Sequence, residues 1–247
     1  MNRQTQSLLL LILGGALLNI SAFSTDYVNY VKPGFRPLLI GAGAVLVVLA
    51  LVSLVRAVRG RATTHDHAHE AAHEDEGGHD HGRGPRVAWL LAVPVFAIVT
   101  IAPPALGSFA AGREDSPSAP PPAKAVPYRP LAAGGVAPLA MGEFIGRAYD
   151  PSDTSLAGQK VKLTGFVVTS AKKKRWYVAR MQMSCCAADA LALKVAVEGV
   201  PAPRENSWVE VTGTWIPWKG KIPNGYVIPA MTVTDVTKID QPAEPYE

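Results

Sequence analysis

The two cysteines of this 247-residue chain are adjacent, in the stretch "SCCAAD" at residues 184–189. Neighbouring thiols can form a redox pair, bind a soft metal or metalloid, or pack as small apolar residues. As thiolates, Cys185 and Cys186 suit Cu(I), Zn(II) or trivalent arsenic. Asp189 can reach back to them if the stretch makes one helical turn. The three side chains therefore form a candidate metal site.

Three ligands are fewer than the four of a closed zinc site, so we do not expect structural zinc here. Met181 and Met183 alternate onto one face of the preceding segment and could add thioether ligands. A disulfide between adjacent cysteines is strained, and the pair lacks the Cys-x-x-Cys spacing of thiol oxidoreductases. Asp189 has two structural alternatives, which are capping the turn and pairing with Arg180. Soft-ligand contact, a vicinal disulfide and core packing all stay open.

A second group of possible ligands lies in "HDHAHEAAHEDEGGHDH", residues 65–81, where histidine alternates with aspartate and glutamate. Imidazole and carboxylate bind zinc, nickel and copper, so we expect a divalent metal here. The stretch has no large apolar residue, which favours an exchangeable ligand reservoir. The alternative is a solvated polar linker. The candidate ligands are all six histidines of the chain: His65, His67, His69, His73, His79 and His81.

Three charge-free apolar stretches, residues 8–23, 38–55 and 87–110, predict about three transmembrane helices. A bilayer core of about 30 Å needs roughly 20 helical residues, with a range of about 17–25, so the first stretch is the shortest candidate. It resembles a signal peptide, but no small-x-small cleavage site follows, and we expect an uncleaved helix. These stretches hold almost no ionisable residues, which favours an anchor or a subunit over a complete transporter.

Basic residues predict the orientation of these helices, because short cytoplasmic loops are enriched in lysine and arginine. We therefore expect a multi-pass plasma-membrane protein whose N-terminus and histidine-rich loop, residues 60–84, are cytoplasmic. Everything after the third span is then extracellular. The loop between the second and third spans carries Arg56, Arg59, Arg61, Arg83 and Arg86.

The predicted membrane domain covers residues 1–110, and a spacer rich in proline, alanine and serine follows at 111–135. Residues 136–247 form the exterior domain, which begins with a helix over "MGEFIGRAY". Period-two patterns then predict strands in "KVKLTGFVVT", "RWYVARMQM", "LALKVAVEG", "SWVEVTGTWI" and "VIPAMTVTDVTKI". Five short strands favour an all-β domain, an OB-like five-stranded barrel.

The basic stretch "AKKKRWY" at residues 171–177 is compatible with nucleic-acid binding by such a barrel. The predicted extracellular location excludes that function. A serine–histidine pair, a phosphate-binding loop and paired carboxylates are all absent from the sequence, so we expect a protein that is not an enzyme.

The order of these features resembles the YcgQ-like family of bacterial membrane proteins, described as subunits of two-component membrane permeases. The most specific stretch is R-x-x-x-x-CCAADA, from Arg180 to Ala190. The resemblance implies a multi-span permease as partner, similar to those proposed to export metalloids such as organoarsenicals. It implies no mechanism.

Our leading hypothesis is an accessory subunit of a permease complex in the lipid bilayer, handling metal or metalloid ions. The alternative is a membrane-anchored thiol redox or metal-sensing protein that uses Cys185 and Cys186 or the histidine-rich loop.

Overall fold

A computed structural model describes residues 3–62, 93, 101, 104–113, 128–131, 134–170, 174–218 and 227–247. The chain divides into two compact units, Met1–Pro104 and Ala105–Glu247. The six candidate histidine ligands, from His65 to His81, and most of the predicted third span lie outside the described residues.

The first unit contains two long apolar helices, α1 at Arg3–Leu18 and α2 at Arg36–Ala62. A π-helical turn, Asn19–Phe23, extends α1. The windows Gln6–Phe23 and Pro33–Arg59 are long and apolar enough to cross a membrane. The two N-terminal apolar helices predicted from hydropathy are therefore present, and each could span a bilayer.

Two glycines allow α1 and α2 to approach closely. A Cβ atom on Gly14 would lie 2.9 Å from the carbonyl oxygen of Gly43, and one on Gly43 would lie 2.9 Å from Leu18 Cγ. Small residues allow helices to pack closely, and Gly14 and Gly43 do so here. The neighbouring Gly15 and Gly41 have open space at the corresponding position, so of these four glycines Gly14 and Gly43 form the close contact.

The second unit is mostly β-sheet. Its long strands are β2 at Lys160–Ser170, β3 at Arg175–Gln182, β4 at Leu191–Glu198, β5 at Trp208–Ile216 and β6 at Ala230–Lys238. A two-residue strand, β1 at Ala137–Pro138, pairs in parallel with β2. The sheet order is β1-β2-β3-β4-β6-β5, and β2 also pairs with β5. Each of the five long strands therefore has two of the others as neighbours.

Strand pairing is antiparallel between β2 and β3, β3 and β4, β5 and β6, and β2 and β5. The pairing of β4 with β6 is parallel. Gly213 lies at a register shift between β5 and β6, and a side chain on Gly165 would clash with the carbonyl oxygen of Ala179. The close backbone approaches at both positions explain why a side chain is excluded.

The main core lies on one face of this sheet. Alternate residues of β2 and β5, such as Val161, Leu163 and Val211, are fully buried there. The helix α4, Met141–Tyr149, packs Phe144 and Ile145 into the same core. The change from helical to alternating periodicity after α4 was predicted from the sequence. The period changes because α4 and the strands that follow it each bury one face, and side chains on one face recur every 3.6 residues in a helix but every second residue in a strand.

The opposite face of β2, β3 and β4 is covered by a short helix, α3 at Ser108–Arg113, and by Tyr246. Ala111 of this helix is fully buried, and the backbone N–H of Leu106 donates to Tyr246 Oη at 2.9 Å. Residues 105–110, predicted as the end of the third membrane span, therefore belong to the second unit and pack on its sheet.

The predicted spacer also has an unexpected connection. Ala111, at the start of the predicted spacer, belongs to α3 and is buried in the hydrophobic cluster between α3 and the sheet. Leu131, near the end of the spacer, packs on the main core. Arg147 of α4 donates to the carbonyl oxygen of Arg129 at 2.7 Å. Residues at both ends of the predicted spacer thus pack on the same unit.

Candidate functional site

The adjacent cysteines lie in the loop between β3 and β4. Met183 is buried, and its backbone N–H donates to the carbonyl oxygen of Glu247 at 2.8 Å. The chain then reaches the surface at Ser184 and makes a short 3₁₀ turn at Ala187–Asp189 before β4 begins. This loop places Cys185 in an exposed position and leaves Cys186 partly buried.

The carboxylate of Asp189 folds this loop around itself. Its Oδ1 atom accepts the backbone N–H of Ser184 at 2.8 Å, and Oδ2 accepts those of Cys185 at 2.8 Å and Cys186 at 3.4 Å. In return, the backbone N–H of Asp189 donates to the Cys186 side chain, which completes a capping box. Asp189 therefore caps the turn, which was the first of its two predicted structural roles.

Arg180 does not pair with Asp189. Its Nη2 donates to the carbonyl oxygen of Glu244 at 2.7 Å, and the guanidinium lies 5.8 Å from the centre of the Trp208 ring. Its Nε lies 3.9 Å from Glu247 Oε1. The second predicted role of Asp189, an ion pair with Arg180, is not formed.

Both cysteine thiols are free, and their Sγ atoms lie 3.7 Å apart. A disulfide needs about 2.05 Å between sulfurs, so the vicinal disulfide is not formed. Cys185 is exposed, and neither cysteine belongs to a hydrophobic cluster of the described residues. The sequence left open soft-ligand contact, a vicinal disulfide and core packing. Two free thiols in a surface loop are most compatible with soft-ligand contact.

Hydrogen bonding between Cys185 and Asp189 controls their protonation. The bond to the Asp189 carboxylate, together with the neighbouring Cys186 thiol, raises the pKa of Cys185 to about 11. The same bond, with the three backbone N–H groups, lowers the pKa of Asp189 to about 2. At neutral pH the site therefore carries one carboxylate and a protonated Cys185. A protonated thiol is a poor nucleophile, which counts against disulfide-exchange chemistry.

The ligand atoms of Cys185, Cys186 and Asp189 all lie within 4.8 Å of one another. With metal–sulfur bonds of about 2.3 Å, the observed sulfur separation of 3.7 Å gives an S–metal–S angle of about 107°. This angle is close to tetrahedral, so one ion could bind both thiols with little movement. A linear two-coordinate ion would need the sulfurs about 4.6 Å apart.

The two methionines before the loop are buried in the hydrophobic cluster between α3 and the sheet. Met181 and Met183 are buried in the cluster under α3, with Phe166, Tyr177 and Ala179 among their neighbours. They therefore contribute to the core of the second unit.

One residue that fixes the loop was not predicted to have any role. The Glu247 carboxylate accepts the backbone N–H groups of Met141 at 2.7 Å and Gly142 at 2.9 Å, at the start of α4. Its own backbone bonds to Met181 and Met183. In the sequence, Glu247 is simply an acidic residue after "PAEPY". Its role could not be predicted from neighbouring residues, because its partners lie 64 to 106 positions away.

Residues 5–114 match the DUF1980 N-terminal domain, and residues 148–247 match the DUF1980 C-terminal domain. The chain carries both DUF1980 domains. This result agrees with the YcgQ-like resemblance of the sequence, and the cysteine loop lies inside the C-terminal DUF1980 domain. Among curated proteins, no relative of the chain was found.

Proposed function

We propose that this DUF1980 protein is a non-enzymatic, membrane-anchored accessory subunit that binds a soft metal or metalloid ion at Cys185, Cys186 and Asp189. One observation carries the proposal. Two free thiols lie 3.7 Å apart beside a carboxylate, in an exposed loop that the same carboxylate organises. Thiolates are preferred ligands of soft and borderline ions.

The membrane part of the proposal rests on α1 and α2, with residues 87–104 as a third span. The arginine-rich loop favours a cytoplasmic histidine-rich segment and an extracellular C-terminal domain in the plasma membrane. Apolar spans that hold almost no ionisable groups are suited to packing against another membrane protein, and the family resemblance makes a multi-span permease the expected partner.

The C-terminal domain is, in this proposal, a closed OB-like barrel. Strand pairs that run from β2 through β3, β4, β6 and β5 and return to β2 support closure. The single parallel pair among the five long strands, β4 with β6, supports a Greek-key connection. Such a barrel presents the β3–β4 loop, and the cysteines with it, at its surface.

Binding of a divalent ion by both thiols displaces their protons and forms two metal–sulfur bonds. A trivalent arsenic hydroxide reacts with the same two thiols and releases two water molecules, since one hydroxyl group leaves arsenic with one thiol proton for each As–S bond that forms. The Asp189 carboxylate, ionised at neutral pH because its pKa is lowered to about 2, attracts a cation and can supply a third ligand.

The histidine-rich loop has a separate place in this proposal, as an exchangeable store of zinc, nickel or copper on the cytoplasmic side. Its use as a metal sensor is the alternative. The raised pKa of Cys185 counts against the other alternative, a thiol redox enzyme.

Two experiments test the proposal. Calorimetric titration of the full chain with Zn(II) uses a variant in which all six histidines are replaced by alanine, so that the loop has lost its imidazole ligands. We expect one equivalent to bind, and the added C185S/C186S pair to abolish that binding. Affinity purification from native membranes tests the partner, and we expect a multi-span membrane protein to co-purify. Full retention of zinc binding without the cysteines, or isolation without any partner, contradicts the corresponding half of the proposal.

A further inference from the structure

A cavity of about 200 Å³ in the second unit is lined by none of the cysteine-loop residues. Five separate segments build it: the end of α4 at Tyr149, the start of β3 at Arg175, the end of β4 at Glu198, and the ends of β5 and β6 that face each other. Pockets of this kind, apolar with a few convergent polar groups, are typical ligand sites.

Aromatic side chains form much of the cavity wall. Trp215 packs against the main core, whereas Trp218 leaves 52% of its surface exposed. The hydroxyl of Tyr149 accepts the backbone N–H of Val227 at 2.6 Å and donates to the carbonyl oxygen of the same residue. These bonds connect the end of α4 to the segment that precedes β6 on one side of the cavity.

The rim of the cavity carries one charge of each sign. Trp176 of β3 pairs with Val197 of β4, which brings the next residues, Arg175 and Glu198, to the same end of the antiparallel pair. Both are exposed, and neither makes an ion pair with any residue that the structure describes. The last residues of α4, Ala148 and Tyr149, add the negative end of a helix dipole to the wall.

We propose that this cavity binds a small zwitterion with an apolar side chain, of the size of a single amino acid. Arg175 binds the carboxylate, because a guanidinium donates two parallel hydrogen bonds to such a group. Glu198 and the faces of the tryptophan rings bind the ammonium group, the latter through cation–π attraction. The apolar wall takes the side chain. This site is independent of the proposed metal site.

The test uses the full chain in detergent and the amino acid L-phenylalanine as the probe. Three analogues each lack one recognised group: 2-phenylethylamine has no carboxylate, 3-phenylpropionate has no ammonium group, and glycine has no side chain. We expect each analogue to bind roughly tenfold more weakly or worse, the size expected for one charge-assisted hydrogen bond or one buried ring. Equal binding of 2-phenylethylamine or 3-phenylpropionate overturns the zwitterion assignment.

Three variants locate the binding. R175Q is expected to remove the preference for phenylalanine over 2-phenylethylamine. E198Q is expected to remove the preference for phenylalanine over 3-phenylpropionate. W218A is expected to weaken the binding of every aromatic ligand. L191A is the matched control, since Leu191 is 51% exposed and lies outside the cavity. Absence of phenylalanine binding at millimolar concentration, or equal loss in L191A and W218A, overturns the proposal.

The C185S/C186S variant separates this proposal from the metal site. It is expected to bind phenylalanine unchanged while losing zinc. Tight binding of uncharged apolar peptides, with no effect of R175Q or E198Q, would instead identify the cavity as a peptide groove and overturn the zwitterion assignment.

Discussion

The carboxylate of Asp189 accepts the backbone N–H of Cys185 at 2.8 Å and, through its hydrogen bond with the thiol of the same residue, raises the pKa of that thiol. One side chain therefore both shapes the cysteine loop and sets the protonation of its exposed thiol. The physical consequence is a site that is unreactive as a nucleophile and open to an ion that can displace protons.

Replacement of Asp189 by asparagine removes the charge that holds the Cys185 proton. The pKa of Cys185 is then expected to fall from about 11 toward the ordinary value near 8.5. The thiolate fraction at pH 8 rises, so alkylation by iodoacetamide should accelerate on the order of tenfold, since the lower pKa also reduces intrinsic nucleophilicity. D235N is the control, because Asp235 lies on β6 and bonds to Thr237. An unchanged alkylation rate in D189N contradicts the assigned hydrogen bond.

Metal affinity at the cysteine pair should rise with pH. Because the pKa of Cys185 is raised to about 11, this thiol is protonated throughout the range from pH 6 to pH 8. Each bound ion must displace at least that proton, so the dissociation constant should fall about tenfold or more per pH unit. Zinc calorimetry on the histidine-free variant, in buffers of different ionisation enthalpy, counts the released protons. A dissociation constant that is independent of pH rules out Cys185 as a ligand.

Cutting the chain in the proline-rich segment should not release the β-sheet domain. Since α3 packs on the sheet through Ala111, a protease site inserted after Pro121 should yield fragments that still co-purify. Ala111→Asp places a charge in a fully buried position and should separate the cut fragments. The measurement is co-purification before and after cleavage. Release of the C-terminal fragment without the Ala111 substitution would show that the segment acts as a true spacer.

Gly14 and Gly15 offer a matched pair of substitutions in α1. Gly14→Ala would place a methyl group 2.9 Å from the carbonyl oxygen of Gly43, whereas Gly15→Ala would meet open space. Overpacking of a tight contact typically costs about 1–3 kcal/mol, so G14A should lower the thermal unfolding midpoint in detergent. G15A should leave it unchanged. Equal midpoints for the two variants would disprove the close helix contact.

Local patterns in the sequence predicted the elements that depend on neighbouring residues. Alternation of Val161 and Leu163 with Lys160 and Lys162 predicted β2, because one face of a strand is buried. The three-residue spacing from Cys186 to Asp189 predicted that the carboxylate would reach back to the thiols. Long apolar runs predicted α1 and α2.

Features that depend on distant residues could not be predicted in this way. Hydropathy assigned residues 105–110 to a membrane span, because alanine and leucine suit a lipid environment and a protein core equally well. Packing on the sheet decides between them, as Leu106 and Tyr246 show. The cavity beside Tyr149 unites five segments, and no periodic pattern in one segment reports the others.

Reaction of the intact chain with phenylarsine oxide tests the central claim most directly. The reagent condenses with two neighbouring thiols, forms two As–S bonds and releases one water molecule. Because the chain has only two cysteines, intact mass spectrometry with thiol counting gives a clear result. The account predicts one adduct per chain with no remaining free thiol, and loss of the stable adduct in both C185S and C186S. Two free thiols after treatment, or an adduct that survives either single substitution, would contradict it.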